Sequence, residues 1–140
     1  MINFLAEKIK FQLKDKAKLK LWIKNIIAKE KKFPGELNFV FCDDEYLLLI
    51  NKDFLNHNTL TDIITFDYTA DNVKGLISGE IFISIERVRE NAKKYSVSFE
   101  DELHRVMIHG VLHLLGYADK SAKAKKEMRR LEDIALRKLK

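Results

Sequence analysis

The chain has 140 residues, of which 46% are hydrophobic and 34% charged, and its formal net charge is +5. This length and balance predict one domain that buries enough apolar surface to fold without disulfides, and a single cysteine, Cys42, excludes an internal one. No uncharged apolar run of 18 residues and no secretory signal are seen, so we expect a cytoplasmic protein with no membrane partner.

The predicted elements, taken in chain order, alternate irregularly between strands and helices. Strands are predicted from β-branched and aromatic content or alternation over 2–5, 36–42, 61–69 and 76–85. Helices are predicted from apolar periodicity and capping residues over 16–32, 44–54 (after Asp43), 85–95, 98–115 and 121–138. The segment Phe33-Pro34-Gly35 is predicted to stop the first helix. This order favours an α+β fold over residues 1–140, with a small mixed sheet and helices packed on it.

The charge is uneven along the chain. Residues 1–32 hold 10 lysines against 3 acidic residues, and residues 117–140 hold 9 basic against 4 acidic residues. The middle, 33–116, holds 7 basic against 14 acidic residues. Basic ends around an acidic centre suit a polyanion at the rim of a site and a cation inside it. The solvated faces of two amphipathic helices would give the same pattern.

Two histidines stand four residues apart in the apolar run Val106–Leu115. On a helix, His109 and His113 share one face with their Cβ atoms about 5–6 Å apart, which suits two imidazoles on one Zn²⁺. Gly116 can end the helix and let the chain fold back, so Asp119 can reach the same ion. Three protein ligands with a vacant fourth position are typical of a catalytic zinc site. We therefore predict a central helix that binds metal.

A purely structural role for both histidines is the less favoured interpretation. A helix that is apolar all round is buried, and an unpaired buried polar group costs about 1–3 kcal/mol. His104 lies about 140° around the helix from His109 and is expected to stay outside the site. His57, in the polar segment before the 61–69 strand, could approach the ion or a substrate, or could be a solvated loop residue.

The spacing of these ligands also occurs in metzincin proteases. In those enzymes a glutamate follows the first histidine and acts as the general base. Here that position is Gly110, which cannot move a proton. This substitution is evidence against proteolysis.

The segment His109-Gly110-x-Leu112-His113-Leu114-x-Gly116-Tyr117 resembles the signature of the YbeY family of bacterial metal-dependent endoribonucleases, which act in ribosomal RNA maturation. Further ordered motifs are similar to that family's. They are Asn51-x-x-Phe54, Thr61-Asp62-Ile63-Ile64-Thr65-Phe66, Gly79-Glu80-Ile81-Phe82-Ile83-Ser84, Glu102-Leu103, and Glu127-Met128 with Leu131-Glu132. The similarity spans roughly residues 36–133.

The resemblance implies hydrolysis of single-stranded RNA in a cleft that holds one Zn²⁺ per chain, with another divalent transition metal as an alternative. The implied ligands are His109, His113 and Asp119, where the family usually has histidine at the third position. Thr61 and Asp62 are implied to border the cleft, and we add His57 to the candidate substrate-binding residues. Leu55 stands where the family commonly has arginine, a natural phosphate clamp.

The function predicted from these observations is that of a zinc-dependent endoribonuclease acting on ribosomal RNA, with the small ribosomal subunit as a possible partner. Two alternatives stay open. One is a non-catalytic ribosome-assembly or RNA-binding factor with a structural metal. The other is a zinc peptidase-like metallohydrolase. No general base and no other catalytic side chain is assigned by the sequence.

Overall fold

A computed structural model describes residues 1–55, 61–69 and 74–140 of the chain, with the side chains of residues 54 and 55 outside the description. The strands of this part are β1 (Ile2–Ala6), β2 (Phe33–Cys42), β3 (Ile63–Asp67) and β4 (Leu76–Ser84). Its helices are α1 (Lys16–Lys29), α2 (Asp44–Leu55), α3 (Ile85–Lys94), α4 (Phe99–Leu114) and α5 (Ala122–Leu139). No helix among these residues combines the length and the apolar character needed to cross a bilayer.

The described strands form one mixed sheet in the order β1-β2-β4-β3. The pairs β1–β2 and β2–β4 are parallel, whereas β3 runs antiparallel to β4. Parallel pairing requires crossover connections, which α1 and α2 provide in part. The strand order leaves β3 at one edge of the sheet, paired among the described strands only with β4. The predicted α+β fold with a mixed sheet is therefore confirmed.

Side chains alternate across the sheet and divide the core between its two faces. The larger cluster lies under α1, α4 and the neighbouring helices and includes Ile81 and Ile83 of β4. The smaller cluster lies under α2 and joins Cys42, Leu47 and Ile64. Helix α4 crosses β3 and β4 on the first face, so its residues are buried except along one stripe.

Most predicted element boundaries agree with the structure to within a few residues. Asp43 accepts a hydrogen bond from the Tyr46 N–H at 2.8 Å, and Ser98 accepts one from the Asp101 N–H at 3.0 Å, so both predicted helix caps are present. The first helix ends at Lys29, before Phe33-Pro34-Gly35, and β2 begins at Phe33, three residues earlier than predicted. A register shift between Pro34 and Leu37 accommodates the proline, which lacks an N–H for the ladder.

Gly110 allows α4 to lie directly on the sheet. A Cβ at this position would meet Ile81 Cγ2 at 2.8 Å and Ile63 Cδ1 at 3.1 Å, which is closer than ordinary packing. We expect Gly110→Ala to lower the free energy of unfolding by about 1–3 kcal/mol, since overpacking outweighs the gain in helix propensity of about 1 kcal/mol. Urea denaturation of the metal-free protein measures this. An unchanged or raised unfolding free energy would show that the helix can move away from the strands.

Candidate metal centre

Helix α4 presents His109 and His113 on the same face, one turn apart. Their ring centroids lie 4.6 Å apart with the planes at 79°, and their Nε2 atoms are separated by 3.0 Å. Both side chains are half-buried, so one edge of each ring faces the cleft described below. The i, i+4 spacing has therefore brought two imidazole nitrogens to a common point, as the sequence predicts.

A tight turn at the end of α4 returns the chain to the two rings. The Gly116 N–H donates to the His113 carbonyl and the Tyr117 N–H donates to the Leu112 carbonyl, both at 3.0 Å, which is a Schellman motif. Gly116 has φ +105°, a conformation that favours glycine. The turn places Asp119 Oδ2 at 3.2 Å from His109 Nε2 and 3.3 Å from His113 Nε2.

The three donor atoms form a triangle with sides of 3.0, 3.2 and 3.3 Å. Ligand atoms about 2.0–2.1 Å from a tetrahedral ion lie about 3.3 Å from one another, so the triangle has the size that such an ion needs. Two imidazole nitrogens and a carboxylate oxygen are donors that Zn²⁺ and similar transition metals accept. The residues therefore fit a divalent transition metal, and among the described residues no other group of His, Cys, Asp or Glu converges in this way.

Glu132 fixes the orientation of the His109 ring. Its Oε2 lies 2.6 Å from His109 Nδ1, and only 5% of the residue is exposed. Because Nδ1 then carries the proton that is donated to the carboxylate, Nε2 is left with a free lone pair facing the other donors. Arg105 holds the second oxygen of Glu132 at 3.0 Å and Asp133 at 2.7 Å, so Glu132 is itself fixed.

The His109 ring feels opposing effects on its protonation. Burial lowers its pKa, but the hydrogen bond to Glu132 and the negative charges of Glu132, Asp119 and Asp62 together raise it by more, so the net pKa lies above the usual histidine value. An environment that favours positive charge at this ring also favours a bound cation beside it.

A cleft of about 1130 Å³ opens beside the triangle. Its lining includes residues of the edge strand β3 and of the segment before it, together with residues of α4 and α5. The predicted substrate-binding residues Thr61 and Asp62 both line it, although the strand itself starts at Ile63, two residues later than predicted. The Asn91 amide donates to Asp62 Oδ2 at 3.5 Å.

Two further carboxyl groups of the cleft are perturbed. Burial raises the pKa of Asp62, and the nearby positive charge of His109 opposes this effect. Burial also raises the pKa of Glu102, and the negative charge of Asp62 adds to it. Perturbed carboxyl groups in a cleft are typical of functional sites.

Of the other two histidines, only His104 lies within the described residues. His57 lies outside the described residues, so its predicted substrate contact stays a prediction. The side chain of Leu55 also lies outside the description. His104 is turned away from the cleft, with its ring centroid 6.1 Å from that of Trp22, as expected from its position on the helix.

His104 should make the stability of the fold depend on pH. Burial lowers its pKa below the ordinary value of about 6.5, although Asp101, Glu100 and Asp15 oppose this effect. Its neutral form is therefore favoured in the folded state, so its contribution to stability is full above pH 6.5 and is lost as the pH falls through the folded pKa.

We expect the unfolding free energy of the wild type to fall more steeply between pH 7.5 and pH 5 than that of His104→Gln. Urea titrations at several pH values measure the difference, and every other titrating group is present in both proteins. Parallel curves would show that His104 is as well solvated in the folded chain as in the unfolded one.

The sequence alone assigns no role to several side chains that the structure places in the site. Glu132 is part of a motif similar to the YbeY pattern, but its contact with His109 depends on how α5 packs against α4. Arg105 and Glu102 lie on the same face of α4 as His109, four and seven residues before it, and helical spacing alone could have placed them there.

Comparison with known proteins assigns this chain to a family. The model of the family described as Endoribonuclease YbeY matches residues 2–140. A protein named Endoribonuclease YbeY from Flavobacterium johnsoniae is 53% identical over 133 residues, which cover 95% of this chain and 93% of the relative. The protein of the same name from Cytophaga hutchinsonii is 51% identical over 135 residues, covering 96% and 93%.

A solved structure agrees with the described fold. The solution structure of TM1509 from Thermotoga maritima superposes with a TM-score of 0.67 at 29% sequence identity, and the match covers 99% of this chain and 89% of that one. The family model and the named relatives confirm the family predicted from the motifs, and with it the assignment to an enzyme family. The chain belongs to the Endoribonuclease YbeY family.

Proposed function

We propose that the chain is a zinc-dependent endoribonuclease that cleaves single-stranded RNA and acts in the maturation of ribosomal RNA in the cytoplasm. The observation that carries the proposal is the triangle of His109 Nε2, His113 Nε2 and Asp119 Oδ2 at the edge of an open cleft. Membership of the Endoribonuclease YbeY family supports the reaction class.

In this proposal the triangle holds the ion, and Glu132 keeps His109 in the tautomer that can bind it. A bound divalent metal would supply a water of near-neutral pKa and would polarise a phosphoryl oxygen. The three donors would all lie on one side of the ion, so the opposite side of the ion would face the cleft and be accessible to a phosphodiester. Asp62 and Thr61, which line the same cleft, would contact the nucleotide at the scissile bond.

The two alternative functions are less well supported by the geometry. A structural zinc site normally has four protein ligands, whereas three donors from described residues converge here beside a cleft. A peptidase of the metzincin design needs a base at position 110, and Gly110 lies against Ile81 with no room for a side chain. Glu132 does not replace this base, because its carboxylate is already hydrogen-bonded to His109 and Arg105.

Two measurements test the proposal. Mass spectrometry of the purified protein should find about one transition metal per chain, with zinc the expected element. The metal-loaded protein should then cleave a single-stranded RNA, leave the same RNA intact when it is annealed to its complement, and leave casein intact. Absence of metal, or cleavage of casein in place of RNA, would contradict the proposal. Ribosomal RNA precursors and isolated small subunits test the more specific substrate.

A further inference from the structure

Two basic side chains of α5 face the cleft without a strong partner. Lys125 and Arg129 are one helical turn apart, so they lie on the same face of the helix, and both line the cleft. Both are exposed at the surface. The donor residues His109, His113 and Asp119 line the same cleft.

Among the described residues, Arg105 is the third lysine or arginine that lines the cleft, and it is not available to a ligand. It donates to Glu132 at 3.0 Å and to Asp133 at 2.7 Å and is largely buried. Arg129 lies 3.9 Å from Glu132, at the limit of an ion pair, and it is 60% exposed. The Lys125 ammonium has no hydrogen bond or ion pair within the described residues.

The charge of the cleft makes these two cations important for an anionic ligand. Five acidic side chains of the described residues line it, namely Asp62, Asp67, Glu102, Asp119 and Glu132. Such a lining repels a polyanion unless positive charge is supplied nearby. The metal would supply it at the triangle, and Lys125 and Arg129 supply it along α5.

We propose that Lys125 and Arg129 bind successive phosphates of a single-stranded RNA beside the metal site, independently of base sequence. This rests on the proposed function for the identity of the ligand. An exposed guanidinium can form two parallel hydrogen bonds to one phosphate, and the lysine acts as a point charge on the next. The backbone would therefore run along α5 and bring the adjoining phosphodiester to the triangle.

The test measures the binding of a fluorescent 2′-O-methyl phosphorothioate 12-mer, which resists cleavage, to the metal-loaded protein by anisotropy over a range of salt concentrations. Each phosphate contact on a single strand contributes about 0.7 to the slope of log affinity against log salt. The double variant Lys125→Gln/Arg129→Gln should reduce the slope by about 1.4 and weaken binding about tenfold. With cleavable RNA, KM should rise about tenfold while kcat stays close to that of the wild type.

The matched control is Lys123→Gln/Lys126→Gln, which removes the same charge from exposed positions of α5 that do not line the cleft. The control should keep the wild-type slope. An unchanged slope in the Lys125/Arg129 variant, or an equal reduction in the control, would overturn the proposal, because the effect would then be absent or due to net charge. Failure of the wild type to cleave RNA would instead overturn the proposed function, since the binding slope does not depend on cleavage.

Discussion

The variant His113→Ala is expected to lose its metal and to cleave single-stranded RNA at least about 10³-fold more slowly than the wild type. Among the described residues, removing this imidazole leaves two donors of the triangle, His109 Nε2 and Asp119 Oδ2, which are 3.2 Å apart. Two donors do not fix a catalytic zinc ion, for which three protein ligands are usual. Metal content by mass spectrometry and initial rates on a labelled RNA measure the two effects.

The matched control for this variant is His104→Ala, which removes an imidazole from the same helix outside the cleft. It should keep about one metal per chain and most of the activity. Circular dichroism establishes that both variants are folded. If a folded His113→Ala protein cleaves RNA at the wild-type rate, metal catalysis at this triangle is wrong.

Glu132→Gln should weaken metal binding by about 10–100-fold, because the partner of His109 Nδ1 loses its negative charge. The substitution keeps the size of the side chain, so the packing of α5 against α4 should change little. A chelator competition assay measures the metal affinity directly and does not depend on RNA cleavage. The rate at saturating metal should recover in part, since the three ligands remain.

Asp133→Asn is the matched control for Glu132. It neutralises the neighbouring carboxylate on α5, which contacts Arg105 at 2.7 Å and is not among the groups bonded to His109. We expect its metal affinity to stay near that of the wild type. Equal weakening of metal binding in both variants would mean that metal affinity depends on the local charge around Arg105. It would contradict the role of the Glu132 hydrogen bond in orienting the His109 ring.

Local patterns in the sequence predict most of the fold. Apolar periodicity and capping residues such as Asp43 and Ser98 place the helices, because those signals act within a few residues. The first three residues of β2, from Phe33 to Gly35, escape this reasoning, since they are held by tertiary contacts. The Phe33 N–H donates to the Gly75 carbonyl at 2.9 Å, and Phe33 pairs with Leu76, more than 40 residues away in the chain.

The candidate metal ligands are predictable for a similar reason. His109, His113 and Asp119 depend on one helix and one turn, and both have local signatures. The positions of Glu132 and Arg129 relative to the triangle depend on how α5 packs, which no short pattern encodes. Sequence reasoning therefore predicts the ligands but not the groups that orient them or the cations beside them.

The Schellman turn at Gly116 has a consequence for how the site forms. All three donors fall within the eleven residues from His109 to Asp119. Joining the ends of so short a loop costs little conformational entropy, and the cost grows only slowly with loop length. The formation of the triangle therefore depends little on the order of the strands in the chain. A circular permutation that opened the chain outside this segment would leave the three donors on one continuous stretch.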